Sequence, residues 1–310
     1  MILGGDLGGT KTLLALAEAD AGAIRIVRQL RYASADYPSF DALLGDFLAD
    51  APAISSACFG VAGPTDGQEA KLTYLPWQLS SAALSRHFAI PHVTLANDFA
   101  AAAHGLPLLE AKQVLTLHAG RPLDGAPRVV LGAGTGLGVA GLIRQAGDYR
   151  VVSGEGGHFG FAPQTPEQLE LARWLLAQSG RVTTEDIVSG PGLARIYAFF
   201  GGRPQPAEQI GQAALSGSDL LARRSLDLWL SCYGAFAGDL AMHWLARGGV
   251  YLAGGMAAKL MPEADCTPFI DAFLAKREHR DLVSNMPVRL ITAEDLGLRG
   301  ALALAAAARP

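Results

Sequence analysis

The fold is decided by the opening stretch, MILGGDLGGTKTLLALA at residues 1–17. It contains a short apolar segment, a glycine turn and a second apolar segment, a pattern that predicts two strands of a hairpin. A further turn at 19–22 leads into apolar–polar alternation over 23–30, which predicts a third strand. The chain therefore begins with a strand meander and not with a strand that feeds a helix.

A second meander with the same order begins at Arg128. Strands are predicted at 129–132, 137–143 and 149–152, separated by a Gly/Thr turn and then a Gly/Asp turn. The turn threonines, Thr10 and Thr135, are 135 − 10 = 125 residues apart. We interpret the meanders as an internal repeat with one copy in each of two α/β domains. Coincidence between two glycine-rich hairpins is the alternative.

Helical periodicity or strand patterns account for most of the remaining chain. The predicted helices are 40–48, 79–88, 99–104, 169–178, 192–200, 207–215, 220–247, 269–276 and 296–308, and the further strands are 57–63, 92–95, 249–253 and 288–291.

The composition excludes several classes of protein. The chain has 310 residues, of which 50% are hydrophobic and 17% charged, so it can bury a large core and is not disordered. A net charge of −4 without a basic stripe argues against nucleic-acid binding. No basic segment precedes Asp6, and the apolar tract at 301–308 is far shorter than the roughly 20 residues of a membrane span. We expect a cytoplasmic protein that does not enter a membrane.

Three cysteines, Cys58, Cys232 and Cys266, lie far apart in the sequence. No CxxC pair exists, so neither a zinc site nor a disulfide framework is expected. We predict three buried thiols.

Two standard phosphate-binding patterns fail. A Walker A loop would require glycine where Thr10 stands. The pattern GxGxxG does match at Gly136, Gly138 and Gly141, but 137–143 is predicted as a hairpin strand, whereas a dinucleotide-binding loop opens a helix. The remaining interpretation is a phosphate grip made by turns between antiparallel strands, in which glycine lets backbone N–H groups approach anionic oxygens.

Polar groups beside these turns complete the predicted grip. Threonine hydroxyls and the Lys11 ammonium would donate to phosphate, but the Asp6 carboxylate would repel it unless a cation lay between them. Asp6 is therefore predicted to hold Mg²⁺, through water. A strand that ends in small residues before Gly254 and Gly255 is a candidate adenosine pocket, with an ordinary strand-to-helix turn as the alternative. The candidate nucleotide-binding residues are Asp6, Gly8, Gly9, Thr10, Lys11, Thr12, Gly134, Thr135, Gly136, Gly254 and Gly255.

A second group of polar residues is suited to an acceptor substrate. Asn97 and Asp98 follow a predicted strand directly, at the edge where α/β proteins bind ligands; helix capping is their alternative role. Glu155 and His158 lie in a glycine-rich stretch and are suited to hydrogen-bond adjacent hydroxyls of a polyol, a metal site or a flexible loop being the alternatives. Glu185 is a further acid beside a glycine turn, a solvated charge at a helix end being its alternative role.

Taken together, these motifs resemble those of bacterial glucokinases, which belong to the actin-like sugar kinases that include hexokinase. The motifs occur in the family's order from residue 5 to residue 255. The glycine turns are shared with many actin-like ATPases, whereas the motifs ANDF, EGGH and SGPGL are more specific to this family. The full set of motifs that carry the resemblance is GDLGGT at 5–10, ANDF at 96–99, GAGTG at 132–136, EGGH at 155–158, Glu185 with SGPGL at 189–193, and AGG at 253–255.

The resemblance implies an α/β protein of two actin-like (ribonuclease H-like) domains with an interdomain cleft. A small domain would comprise 1–107 and 294–310, and a large domain 108–293. ATP and Mg²⁺ would bind the phosphate turns, Asp98 would be the general base on the 6-hydroxyl of glucose, and a homodimer is a family-level expectation. Alternatives are a kinase for another hexose, such as mannose or N-acetylglucosamine, and a non-catalytic sugar sensor. The implied sugar-binding residues are Asn97, Asp98, Glu155, His158 and Glu185.

Two positions depart from the family pattern. Tyr74 stands where asparagine is expected on the sugar side, and Gly160 stands where an acid is common after EGGH. Both bear on sugar selectivity. The cysteine-rich zinc motif of the related ROK kinases is absent from this sequence.

Overall fold

A computed structural model describes residues 1–20, 23–73 and 75–308. The chain divides into two compact units, one formed by Met1–Glu110 with the segment from Asp295 onward, the other by Ala111–Glu294. These bounds lie beside the expected ones, 107/108 and 293/294, and the assignment of the units as domains stays a prediction.

The described secondary structure is as follows. The strands are β1 (Ile2–Leu7), β2 (Lys11–Asp20), β3 (Ala23–Ala33), β4 (Ser56–Val61), β5 (Glu69–Lys71), β6 (Gln78–Ser80), β7 (His92–Asn97), β8 (Val114–His118), β9 (Arg128–Ala133), β10 (Leu137–Gln145), β11 (Asp148–Gly154), β12 (Gly249–Ala253) and β13 (Val288–Ile291). The α-helices are α1 (Phe40–Leu48), α2 (Ser81–Phe88), α3 (Asp98–Gly105), α4 (Pro166–Ser179), α5 (Gly190–Phe199), α6 (Ala207–Ser216), α7 (Leu220–Trp244), α8 (Gly255–Leu260), α9 (Thr267–Leu274), α10 (Arg280–Ser284) and α11 (Leu296–Ala307).

The first unit is built on a five-stranded sheet in the order β3-β2-β1-β4-β7. The meander β1–β2–β3 is antiparallel, whereas β1, β4 and β7 run parallel. One core includes Phe40, Phe47 and Phe59, and a second packs α11 against the sheet through Leu298 and Leu302. Because β1, β4 and β7 are parallel, their carboxyl ends, and the residues that follow them, lie at one edge of the sheet.

The second unit repeats this arrangement. Its sheet has the order β11-β10-β9-β12-β13-β8, in which β9–β10–β11 is an antiparallel meander and β9, β12 and β13 are parallel. Strand β8 adds an antiparallel edge that the first unit lacks. The shared order and directions of five strands confirm the internal repeat and the α/β class predicted from the two meanders.

Several local predictions need correction. The hairpin β5–β6 and the edge strand β8 were not predicted from the sequence. Helix α7 ends at Trp244, three residues before the predicted end, because Leu245 adopts the left-handed conformation with φ 47°. Cys58 and Cys232 are buried as expected, but Cys266 is partly exposed. Among the described residues, no helix has the length and apolar character needed to cross a membrane.

Candidate active site

The first glycine turn connects β1 to β2 and is closed by a hydrogen bond from the Gly8 N–H to the Lys11 carbonyl, 3.0 Å. Thr10 is exposed at its tip, and Lys11 is partly buried at the start of β2. The turn connects two antiparallel strands, so the rejection of a Walker A loop is confirmed.

Thr12 does not belong to the exposed part of this turn, contrary to the prediction that it donates to phosphate. Its side chain is fully buried, with Oγ1 3.0 Å from the Ser34 Oγ. The Ser34 hydroxyl also lies 2.8 Å from the Gly8 carbonyl, to which it donates, and the Ser34 N–H donates to the Thr10 carbonyl. Ser34 therefore stabilises the buried side of the turn through hydrogen bonds. This role was not predicted from the sequence, because the serine follows β3 and lies far from the turn along the chain.

Asp6 is the acidic group of this turn. Protein atoms surround the carboxylate on most sides, although the residue keeps some exposed area, and burial raises the pKa of Asp6 to about 6 against the opposing effect of Lys11. A Cβ atom built on Gly297, in the first turn of α11, would lie 2.8 Å from the Asp6 Oδ2, so glycine leaves room for this carboxylate.

The donor chemistry at Asp6 fits Mg²⁺, which binds carboxylate oxygen and retains several waters. A buried carboxylate whose ionised form is disfavoured gains from a nearby cation. No cluster of three or more His, Cys, Asp or Glu side chains arranged to hold a metal is found within 1–20, 23–73 and 75–308.

Asn97 and Asp98 lie at the carboxyl end of β7, in the sheet that also carries Asp6. Asn97 pairs with Val61, which pairs with Leu7, so these residues share one row across the three parallel strands. Gly60 on the central strand β4 allows the first turn of α3 to pack closely against this strand. A Cβ at this position would lie 3.0 Å from the Ala101 Cβ and 3.7 Å from the Asp98 Cα.

The capping role predicted as an alternative for Asn97 is confirmed. Its Oδ1 accepts hydrogen bonds from the Phe99 and Ala100 N–H groups, at 3.0 and 3.1 Å. Asp98 is the first residue of α3, partly buried, and its Oδ1 accepts from the Phe99 N–H at 2.8 Å.

The second glycine turn, between β9 and β10, connects two antiparallel strands like the first but is closed by a hydrogen bond that spans one residue fewer. The Gly134 N–H donates to the Gly136 carbonyl at 2.8 Å, and Thr135 is exposed at the tip. Gly138 and Gly141 lie inside β10, where a Cβ on Gly141 would lie 2.5 Å from the Trp244 ring. The GxGxxG match is therefore part of a hairpin, which confirms its rejection as a dinucleotide-binding loop.

Gly254 lies directly beside this second turn. It has φ +89°, and a Cβ there would lie 2.4 Å from the Ala133 carbonyl oxygen, so only glycine allows the end of β12 to approach the turn this closely. Gly255 starts the short helix α8 and is exposed, with nothing within 4 Å of a Cβ. The structure thus brings together the two glycine motifs assigned to the nucleotide in this unit.

The EGGH motif forms a single tight turn beyond β11. The His158 N–H donates to the Glu155 carbonyl at 3.0 Å, and both side chains are exposed. A Cβ on Gly157 would lie 1.9 Å from the Leu137 carbonyl oxygen, so this turn is pressed against the start of β10. The contact places the predicted sugar-binding turn beside the predicted phosphate turn.

Glu185 joins these two turns. Its N–H donates to the Gly157 carbonyl at 2.9 Å, and its side-chain Oε2 accepts from the Leu137 N–H at 2.7 Å. Ser189 then caps α5, where its Oγ accepts from the Gly192 N–H. The SGPGL segment that resembled the family is thus a capped helix N-terminus attached to the site.

The two departures from the family pattern differ in what the structure describes. Gly160 is exposed, forms an isolated bridge with Thr183, and has nothing within 4 Å of a Cβ, so the position has space for a larger side chain. Tyr74 lies outside the described residues.

The profile of the Glucokinase family matches residues 3–308 of this sequence, which includes every motif described above. The chain belongs to the glucokinase family. A glucokinase from Nostoc sp. is 37% identical over 99% of both chains.

Two solved structures extend the comparison. A glucokinase from an Antarctic psychrotroph aligns with a TM-score of 0.85 and 32% identity, covering 98% of both chains. A glucokinase from Balamuthia mandrillaris, solved in complex with glucose, aligns with a TM-score of 0.83 at 24% identity, covering 98% of this chain and 93% of that one; this similarity concerns the fold alone. The α/β fold is that of the actin-like sugar kinases.

Proposed function

We propose that this family member transfers the γ-phosphoryl group of ATP to the 6-hydroxyl of glucose and releases glucose 6-phosphate and ADP. The observation that carries the proposal is the row of residues across the parallel strands of the first unit. It brings Asp98 to the carboxyl end of β7 and Asp6 to that of β1, beside a glycine turn. A base and a cation-binding acid at one sheet edge suit phosphoryl transfer to an alcohol.

Asp98 is proposed as the general base. Its Oδ1 accepts from the Phe99 N–H, which fixes the carboxylate at the first turn of α3. An ionised carboxylate takes the proton of the attacking hydroxyl as the new O–P bond forms. Such general-base assistance is typically worth about 10²–10⁴-fold in rate.

The remaining sugar contacts are assigned by chemistry and exposure. Asn97 uses Oδ1 as a helix cap, so its amide Nδ2 is the atom suited to donate to a sugar oxygen. The exposed side chains of Glu155 and His158 are proposed to bind adjacent sugar hydroxyls, and Glu185 to accept a further one.

ATP is proposed to bind through backbone N–H groups of the two glycine turns, with Gly254 and Gly255 beside the adenosine. Lys11 and the exposed hydroxyls of Thr10 and Thr135 supply further donors. Asp6 would hold Mg²⁺, which neutralises charge on the transferring phosphoryl group when bound.

The function is tested by the release of ADP, coupled to a spectroscopic assay, with a panel of hexoses. The proposal expects glucose to give the highest kcat/KM. A higher value with mannose or N-acetylglucosamine would make the protein another hexose kinase, and sugar binding without ADP release would identify a sensor. Cytoplasmic location and a homodimer stay predictions.

The role of Asp98 is tested by Asp98→Asn. We expect kcat to fall by about 10²–10⁴-fold, because the amide cannot accept the proton, while glucose affinity changes little. Asp66→Asn is the matched control, since Asp66 lies on the loop before β5 and accepts from the Gln68 and Glu69 N–H groups. Near-normal kcat in Asp98→Asn would refute the assignment.

A further inference from the structure

The segment 185–190 is attached on both sides within the second unit. On one side, the Glu185 N–H donates to the Gly157 carbonyl of the EGGH turn at 2.9 Å. On the other side, the Gly190 N–H donates to the Gly134 carbonyl of the second glycine turn at 2.8 Å. The segment is therefore a physical connection between a turn assigned to sugar and a turn assigned to phosphate.

The Glu185 side chain adds a connection of a different kind. Its Oε2 accepts from the Leu137 N–H at 2.7 Å, a short, charge-assisted bond to the residue that immediately follows the GAGTG turn. Its Oε1 has no hydrogen-bond or ion-pair partner among residues 1–20, 23–73 and 75–308. One carboxylate thus has one oxygen committed to the phosphate turn and one oxygen available.

We infer that Glu185 is a positioning residue that couples sugar binding to nucleotide binding by bridging a sugar hydroxyl and the Leu137 N–H. The inference rests on the proposed function, since it takes a sugar as the ligand of Oε1. It adds to that function a route by which the sugar orders the phosphate turn through the second unit itself.

The physical basis is the shared carboxylate. A side chain held by one oxygen keeps more rotational freedom than one held by both, because a second bond removes further rotamers. A sugar hydroxyl that donates to Oε1 fixes the carboxylate at both oxygens and holds the Leu137 N–H in place. The nucleotide then binds to a turn whose backbone is already ordered, so nucleotide binding costs less conformational entropy.

Coupling of this type is reciprocal: the factor by which glucose tightens nucleotide binding equals the factor by which nucleotide tightens glucose binding. We expect a factor of about 5 or more, the lower end of commonly measured couplings. It is obtained by calorimetric titration of the full-length protein with Mg²⁺ and a non-hydrolysable ATP analogue, at zero and at saturating glucose.

Three variants separate the bridge from its alternatives. Glu185→Gln keeps the length: its oxygen can accept from the Leu137 N–H while its NH₂ group donates to the sugar oxygen, so it should retain much of the coupling. Glu185→Asp keeps the charge but is one methylene shorter and cannot reach both partners, so its factor should fall to about 1. Glu155→Ala is the control, because its side chain makes no hydrogen bond to the phosphate turn among the described residues; it should weaken glucose binding and keep the wild-type factor.

Hydrogen exchange supplies a readout that requires neither nucleotide nor turnover. Glucose alone should slow exchange of the Leu137 amide in the wild type and in Glu185→Gln, but not in Glu185→Asp. The inference is overturned if Glu185→Asp keeps the wild-type coupling factor, or if glucose binds the wild type and leaves the Leu137 amide unchanged. Failure of the proposed function looks different, because the wild-type protein would then either not bind glucose or bind it without releasing ADP in the coupled assay.

Discussion

Replacing Asp6 with asparagine tests the consequence of burying a carboxylate at the end of β1. Burial raises the pKa of Asp6 from 3.8 to about 6, so the folded protein holds this proton more tightly than the unfolded chain does. Stability from the protonated form is complete below the unfolded pKa of 3.8 and is lost as the pH rises through about 6. The ionised carboxylate therefore destabilises the free protein at neutral pH.

The magnitude follows from the two pKa values. Each pKa unit corresponds to about 1.36 kcal/mol, so the full effect is at most about 3 kcal/mol. Integration of the linkage relation between pH 4.5 and pH 8 gives a loss of about 2 kcal/mol in the wild type. Asp6→Asn cannot ionise and escapes this loss, so its advantage over the wild type should grow by about 2 kcal/mol across that range, or about 2–4 °C in Tm.

Calorimetric unfolding of metal-free and nucleotide-free protein at pH 4.5, 6 and 8 measures this difference. Asp66→Asn provides a flat control, since backbone hydrogen bonds from Glu69 and Gln68 lower the pKa of Asp66 below 3.8, so its stability difference from the wild type should stay almost constant between pH 4.5 and pH 8. A difference between Asp6→Asn and the wild type that is the same at pH 4.5 and pH 8 would refute the reasoning. The stabilised variant should also lose kinase activity, because the proposed Mg²⁺ ligand is gone.

Two further predictions concern buried polar groups outside the proposed reacting residues. Ser34→Ala should raise KM for ATP more than KM for glucose, since the Gly8 carbonyl loses its donor beneath the first turn; Ser55→Ala, which removes a similar bond to the Met1 carbonyl, should leave both KM values unchanged. Lys276→Met should lower the unfolding free energy by about 1–3 kcal/mol, because the buried ammonium donates to the Ala235 carbonyl and to Asp239. Equal Tm values for Lys276→Met and the wild type would contradict that prediction.

The repeated fold could be predicted because its signals are local. Each meander is marked by alternation and by glycine turns within about 30 residues, and the first buried strand after each one pairs in parallel with the first strand of its meander. Strand β8 was not predicted because five residues, VLTLH, carry only a short local pattern, and the strand with which it pairs, β13, lies more than 150 residues away. No local sequence pattern indicates a pairing between strands that are so far apart along the chain.

The site residues also divide into those marked by local sequence and those whose roles depend on residues far along the chain. The residue types at Asp6, Asn97 and Glu185 indicated chemistry from their neighbours in the sequence. Thr12 was misassigned because its position in an apolar strand does not reveal that Ser34 covers it. The bond from Leu137 to Glu185 spans 48 residues and is equally invisible to motif reasoning.

The glycines show why motif letters alone do not identify a phosphate site. Gly157 and Gly254 are required by the protein itself, because a Cβ at either would lie 2.4 Å or less from a backbone carbonyl oxygen. Gly134 and Gly255 have nothing within 4 Å of a Cβ, so packing does not explain them. The absence of a side chain at these two positions leaves the backbone there accessible to a ligand. Gly134 and Gly255, which the packing of the protein does not require, are therefore the glycines that support the nucleotide assignment.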